Sequence, residues 1–77
     1  MEVKVLFFGV LTEVTGNDCR YYKDVKSIGE LKIRMTDDFP ELEHYKFRIS
    51  LNNQIIDTDQ PLSDSDEVAL MPPFAGG

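Results

Sequence analysis

Apolar positions along this chain change their period several times, and each change marks an element. In VKVLFF, Val3, Val5 and Phe7 alternate with Lys4, Leu6 and Phe8, the period of two that a strand requires. The second side turns apolar after Lys4, so the strand is predicted to be half-buried at its start and buried on both sides at its end, as in the middle of a sheet. In GVLTEVTGND, Leu11 and Val14 lie between Gly9 and Gly16. One or two helical turns are expected there, closed by a turn at Gly16-Asn17-Asp18. CRYYKD, from Cys19 to Asp24, is a short candidate strand that would pair with the first.

The period then lengthens. Ser27-Ile28-Gly29-Glu30 has the S-x-x-E form of a capping box, in which Ser27 accepts from the Glu30 N–H and Glu30 reaches back to the Ser27 N–H. Ile28, Leu31 and Met35 fall on one helical face, with Ile33 and Phe39 near its margins. Pro40 limits continuation, so the pattern predicts a helix from about Ser27 to Asp38. In FRISL, Phe47, Ile49 and Leu51 alternate against Arg48 and Ser50, a half-buried strand. Asn52-Asn53 is a turn signal before a short Ile55-Ile56 strand, together a hairpin. DTDQPLSDSDE reads as an acidic, solvated connection with Leu62 as its inward anchor. EVALM, Glu67 to Met71, is the last strand, apolar on both sides. Pro72-Pro73 ends it, because neither can donate to a ladder.

The first and last strands are the most apolar, so both belong in the middle of the sheet. Adjacent there, they would run parallel, with the helix crossing one face. This is an α+β roll of the ubiquitin-like β-grasp type. It divides into a β-grasp domain over residues 1–71 and an extended C-terminal reactive tail over residues 72–77.

Composition narrows the function. With 77 residues the chain makes one domain. Eight basic against fourteen acidic residues leave a net charge of −6, which disfavours nucleic acid and anionic membrane surfaces and steers basic protein partners toward the chain. One cysteine, Cys19, allows no intrachain disulfide and fits a reducing compartment. No apolar stretch approaches a membrane span and no signal-peptide pattern opens the chain, so a cytoplasmic location is expected.

Candidate chemistry outside the tail is sparse. Cys19 in its strand lacks a nearby histidine and reads as an inert thiol. His44 stands alone in EHYK, a solvated loop histidine and not a metal ligand. Asp57, Asp59, Asp64, Asp66 and Glu67 do not fit a calcium loop: counted from Asp57, the sixth position is Leu62 and the twelfth Val68. No metal site is expected. Phe7, Phe8, Phe39 and Phe47 read as core. There is no phosphate-loop signature, so the chain has no machinery to activate itself and is not catalytic alone.

The tail is the exception. From Val68 to Gly77 no side chain carries a charge, and the sequence closes MPPFAGG. Pro72 and Pro73 would keep the base of the tail extended. Phe74 offers an aromatic anchor for a partner. Ala75, Gly76 and Gly77 are slim enough for a narrow channel, and the glycines accept whatever backbone angles it demands.

VKVLFFGVLTEVTG, LSDSDEVALMPP and the closing AGG together resemble the sulfur-carrier family that contains the small subunit of molybdopterin synthase and the carrier of thiazole synthesis. The resemblance spans essentially the whole chain. It departs from the family pattern at Ser65, where glycine is frequent, and at Phe74, where valine is frequent. It implies that a separate ATP-dependent activating enzyme adenylates Gly77. A sulfur donor then leaves a thiocarboxylate on Gly77, which delivers sulfur to a pterin precursor in a larger catalytic subunit, two small and two large subunits forming the assembly. Pro72, Pro73, Phe74, Ala75 and Gly76 would contact that partner. No cofactor is expected on the chain itself. A ubiquitin-like protein modifier, its activated Gly77 captured by a lysine amine, is the competing reading; a carrier for thiazole synthesis is a further one.

Overall fold

A computed structural model of the chain describes residues 1–73. The opening alternation forms β1 (Glu2–Phe7), followed by the short helix α1 (Val10–Thr15) and β2 (Cys19–Lys23). Helix α2 (Ile28–Asp38) comes next, then a short 3-10 helix (Pro40–His44), β3 (Arg48–Leu51), β4 (Gln54–Ile56) and β5 (Glu67–Met71). The sheet order is β2-β1-β5-β3-β4. β1 and β5 are central and parallel, with Val5 opposite Val68 and Phe7 opposite Leu70; the remaining pairs are antiparallel. The expected β-grasp architecture is therefore present.

Val3, Val5, Phe7, Ile49, Val68 and Leu70 point to one face of the sheet and are buried against Ile28, Leu31 and Met35 of α2. Leu11, Val25, Leu42 and Leu62 close the edges of this core. The start of α2 is satisfied by partners from several segments. Ser27 Oγ accepts from the Glu30 N–H (3.1 Å), Asp59 Oδ1 from the Gly29 N–H (2.8 Å), and the Gln60 carbonyl from the Ile28 N–H (2.9 Å). Half of the capping box is thus realised, and the acidic connection supplies further acceptors for the orphan donors of the first turn.

That connection is built more tightly than its polarity suggested. Asp64 Oδ1 accepts from the Glu2 N–H (2.7 Å) and Asp66 Oδ2 from the Ser63 N–H (2.7 Å), while Asp66 Oδ1 accepts from Asn52 Nδ2 (3.0 Å). Exposed Asp64 and half-buried Asp66 tie the loop to β1 and to the hairpin turn, because short acidic side chains cap backbone N–H groups well. The turn itself has Asn52 and Asn53 at φ 49° and 70°, the paired left-handed conformation of a two-residue hairpin. Ser65 tolerates a φ of 69°, the conformation for which glycine is the ordinary choice.

Three expectations are corrected. Phe8 is 45% exposed, because the helix covers only one face of the sheet and the far side of β1 has no second layer. The segment after Pro40 is a 3-10 helix rather than plain loop, with exposed His44 at its end and Leu42 buried. Ile33 lies on the outer side of α2, not at the margin of its buried face, and is 65% exposed.

Candidate functional site

β5 lies between β1 and β3 with Val68 and Leu70 fully buried, so the chain that follows Met71 departs from the middle strand of the sheet. Pro72 is half-buried and Pro73 exposed. The site residues expected next, Phe74, Ala75, Gly76 and Gly77, lie outside the described residues. The place of departure is defined by β1. The Phe8 N–H donates to the Leu70 carbonyl (3.1 Å), which extends the parallel pairing by one step. Gly9, at φ 59°, then turns into α1 and lies directly against the Pro72 ring.

The face of the sheet away from α2 is the second component. Strand alternation brings Leu6, Phe8, Ala69 and Met71 together there, flanked by Tyr21 of β2 and Ile55 of β4. Tyr21, Ile55 and Phe8 are exposed at 56%, 52% and 45%. On the same face Glu2, Lys4, Lys23 and Glu67 occupy the end where β1 begins. The face is therefore charged where β1 begins and carries an apolar patch at the other end beside Pro72, with exposed Arg48, the cross-strand partner of Met71, at the rim of that patch. An apolar patch rimmed by charge is the usual form of a protein-docking surface. Phe8 and Gly9 were not singled out for this site in the sequence. Their signal was the apolar run on both sides of β1, which also describes a strand open to a partner.

On the helix side, Tyr22 is built into a polar cluster. Its hydroxyl donates to Asp38 Oδ2 (2.8 Å), and Arg20 pairs with the same carboxylate (3.4 Å). Arg20 lies over the Tyr22 and Phe39 rings, and Arg34 over Tyr22. Burial, and then the hydrogen bond and negative charge of Asp38, push the Tyr22 hydroxyl up to about 12 against the opposing effect of Arg20 and Arg34. The cluster clips β2 to the end of α2 and touches no part of the tail base. A cleft of about 320 Å³ between α2 and the β3–β4 hairpin is likewise on the helix side. Among the described residues no group of three histidine, cysteine or carboxylate side chains could hold a metal ion, and no helix is long and apolar enough to cross a membrane.

The sequence pattern of the ThiS family matches residues 5–77. The chain belongs to the ThiS family. It is 34% identical to the molybdopterin synthase sulfur carrier subunit of Escherichia coli (strain K12), over 97% of this chain and 99% of that one. Among solved structures, this ThiS-family chain resembles a component of the complex of subunits 1 and 2 of molybdopterin-converting factor from Helicobacter pylori 26695. That likeness has a TM-score of 0.76 and 30% identity, with both chains fully covered. It also resembles small archaeal modifier protein 1 from Methanosarcina acetivorans, with a TM-score of 0.85 and 26% identity over 99% of this chain and 96% of that one. The family resemblance read from the sequence is borne out along the whole length.

Proposed function

We propose that this chain is the sulfur-carrier subunit of a molybdopterin synthase, with Gly77 as its reactive end. The observation that carries this reading is full-length likeness to the Escherichia coli sulfur carrier subunit, joined to an uncharged tail that follows a central strand. A free carboxylate is ionised at neutral pH, with a pKa near ~3.5, and is a poor electrophile. A partner activating enzyme therefore transfers AMP from ATP to the Gly77 carboxylate, releasing pyrophosphate. Sulfur from a donor protein displaces AMP and leaves a thiocarboxylate. In the large subunit the thiocarboxylate sulfur displaces an oxygen substituent from a side-chain carbon of the pterin precursor, the oxygen leaving with the electron pair of the broken C–O bond. Water then cleaves the Gly77 acyl–sulfur bond, restoring the carboxylate and leaving the sulfur on the precursor. Two such deliveries supply a dithiolene.

In this reading the large subunit sits on the apolar end of the open face, with Phe8 and Met71 beneath it. Pro72, Pro73, Phe74, Ala75 and Gly76 lead into its active site. Two small and two large subunits form the working assembly. Likeness to the Methanosarcina acetivorans modifier favours a second reading, in which a lysine amine captures the activated Gly77 carbonyl as an isopeptide. Incubation with activating enzyme, ATP and a sulfur source separates them by intact mass. Replacement of one terminal oxygen by sulfur supports the carrier; a ladder of lysine-linked adducts in place of that shift supports the modifier. A carrier extended by one residue beyond Gly77, whose carbonyl is then an unreactive amide, should deliver no sulfur. Normal delivery by that uncleaved variant would refute a terminal thiocarboxylate.

A further inference from the structure

We propose that Gly9 is a positioning residue for sulfur transfer: its missing side chain is the seat that holds Pro72, and so sets the direction in which the reactive tail leaves the sheet. The proposal rests on the sulfur-carrier reading above.

Among the described residues two glycines adopt positive φ, and they do different work. Gly16, at φ 71°, ends α1 in the left-handed conformation. A Cβ placed there would meet nothing within 4 Å, so only its backbone angle calls for glycine. Gly9, at φ 59° and ψ −136°, lies outside the left-handed helical region in a conformation more closely restricted to glycine, and it has a second requirement. A Cβ there would stand 2.8 Å from Pro72 Cγ and 3.5 Å from Pro72 Cδ. Carbon pairs prefer about 3.5–4.0 Å, so the shorter distance is a collision.

Neither side has much room to yield. The Pro72 ring is closed onto its own backbone with φ fixed at about −65°, so its Cγ can shift only by a change of ring pucker, and any larger displacement moves the chain. Gly9 is held through its carbonyl, which accepts from the Thr12 N–H (3.1 Å) and from Thr12 Oγ1 (2.7 Å). Immediately before it, Phe8 is bonded to Leu70, two residues ahead of Pro72. Both strand ends are anchored, and the contact between them is left to define the angle of Pro72. Pro72 is where the segment ending at Gly77 begins, so a change of that angle changes the direction in which the segment sets out. In an active site a misplacement of about 1 Å can cost about 100-fold in rate.

The test is single-turnover transfer from carriers whose thiocarboxylate is verified by mass, with purified large subunit and pterin precursor. Gly9→Ala is expected to lower the saturated rate by about 100-fold while half-saturation moves by less than about threefold, because the docking face is intact. Gly16→Ala introduces the milder strain of a left-handed alanine and should keep the wild-type rate, while a Gly9→Ala, Pro72→Ala double variant separates the strain at Gly9 from its contact with Pro72. Adding Pro72→Ala to Gly9→Ala should return the rate to that of Pro72→Ala alone. A wild-type rate for Gly9→Ala, an equal loss in Gly16→Ala, or losses that simply multiply in the double variant would each overturn the proposal. Should Gly9→Ala fail to fold, the wild-type chain still decides. A nuclear Overhauser contact between Gly9 Hα and Pro72 Hγ is expected in solution, and its absence refutes the seat. If wild-type thiocarboxylate delivers no sulfur, the sulfur-carrier reading falls, while the Gly9–Pro72 contact is judged by the Overhauser measurement alone.

Discussion

The two faces of the sheet use similar residues for different ends. On the helix side Val3, Val5, Phe7, Val68 and Leu70 are sealed beneath Ile28, Leu31 and Met35. On the open side Leu6, Phe8, Ala69 and Met71 are just as apolar, but Phe8, with Tyr21 and Ile55 on the outer strands of the same face, remains in water. Burial of apolar area is the main favourable term in folding and in most association. The helix side has spent it on the fold; the open side retains it, and retains it next to Pro72. In a chain of 77 residues, whose core is necessarily small, apolar surface left uncovered is a substantial concession to a partner.

The contrast breaks most severely if the sealed face proves dispensable. Leu31→Ala removes a fully buried side chain and should cost about 2–5 kcal/mol of stability, read as a lower denaturation midpoint; an unchanged midpoint would take that helix face out of the core. Phe8→Ala tests the open face. Its melting temperature should stay within a few degrees of wild type, whereas affinity for the large subunit should fall about 10- to 30-fold, as for a central aromatic contact of about 1.4–2 kcal/mol. A large thermal loss with unchanged affinity would return Phe8 to the fold.

Smaller effects sharpen the picture within the scaffold. Ser65→Gly relieves a left-handed residue at φ 69° and should raise stability by about 0.5–1 kcal/mol, with no effect on partner affinity by calorimetry. Tyr22 gives a pH dependence with a definite sign. Its hydroxyl is raised from 10 to about 12 in the fold, so the unfolded chain loses this proton first. The stability it contributes is complete below pH 10 and declines as pH rises toward 12. Tyr22→Phe should be less stable than wild type at pH 8, having lost the bond to Asp38, and the gap should narrow between pH 10 and 12 in denaturant titrations. A gap constant across that window would mean that Tyr22 ionises as freely in the fold as out of it.

Much of this protein was determined by sequence alone. The alternation through Val3, Val5 and Phe7, the helical spacing of Ile28, Leu31 and Met35, and the Asn52-Asn53 turn are local patterns. Each is enforced by the period of its element or by the backbone angles its residues tolerate, and each appears where it was expected. The parallel pairing of β1 with β5 followed from their composition, because the two most apolar strands must share the centre. Periodicity could not say which of two apolar sides is covered. One helix can lie on only one face, so Phe7 went inward and Phe8 stayed out, though the chain reads the same at both. Nor could it give the role of Asp59, Asp64 and Asp66, whose hydrogen-bond partners Gly29, Glu2 and Asn52 are distant in sequence. The meeting of Gly9 with Pro72 is of the same kind. Sixty-three positions apart, they touch only because β1 and β5 run side by side in the same direction, which brings the ends of both strands to one edge of the sheet.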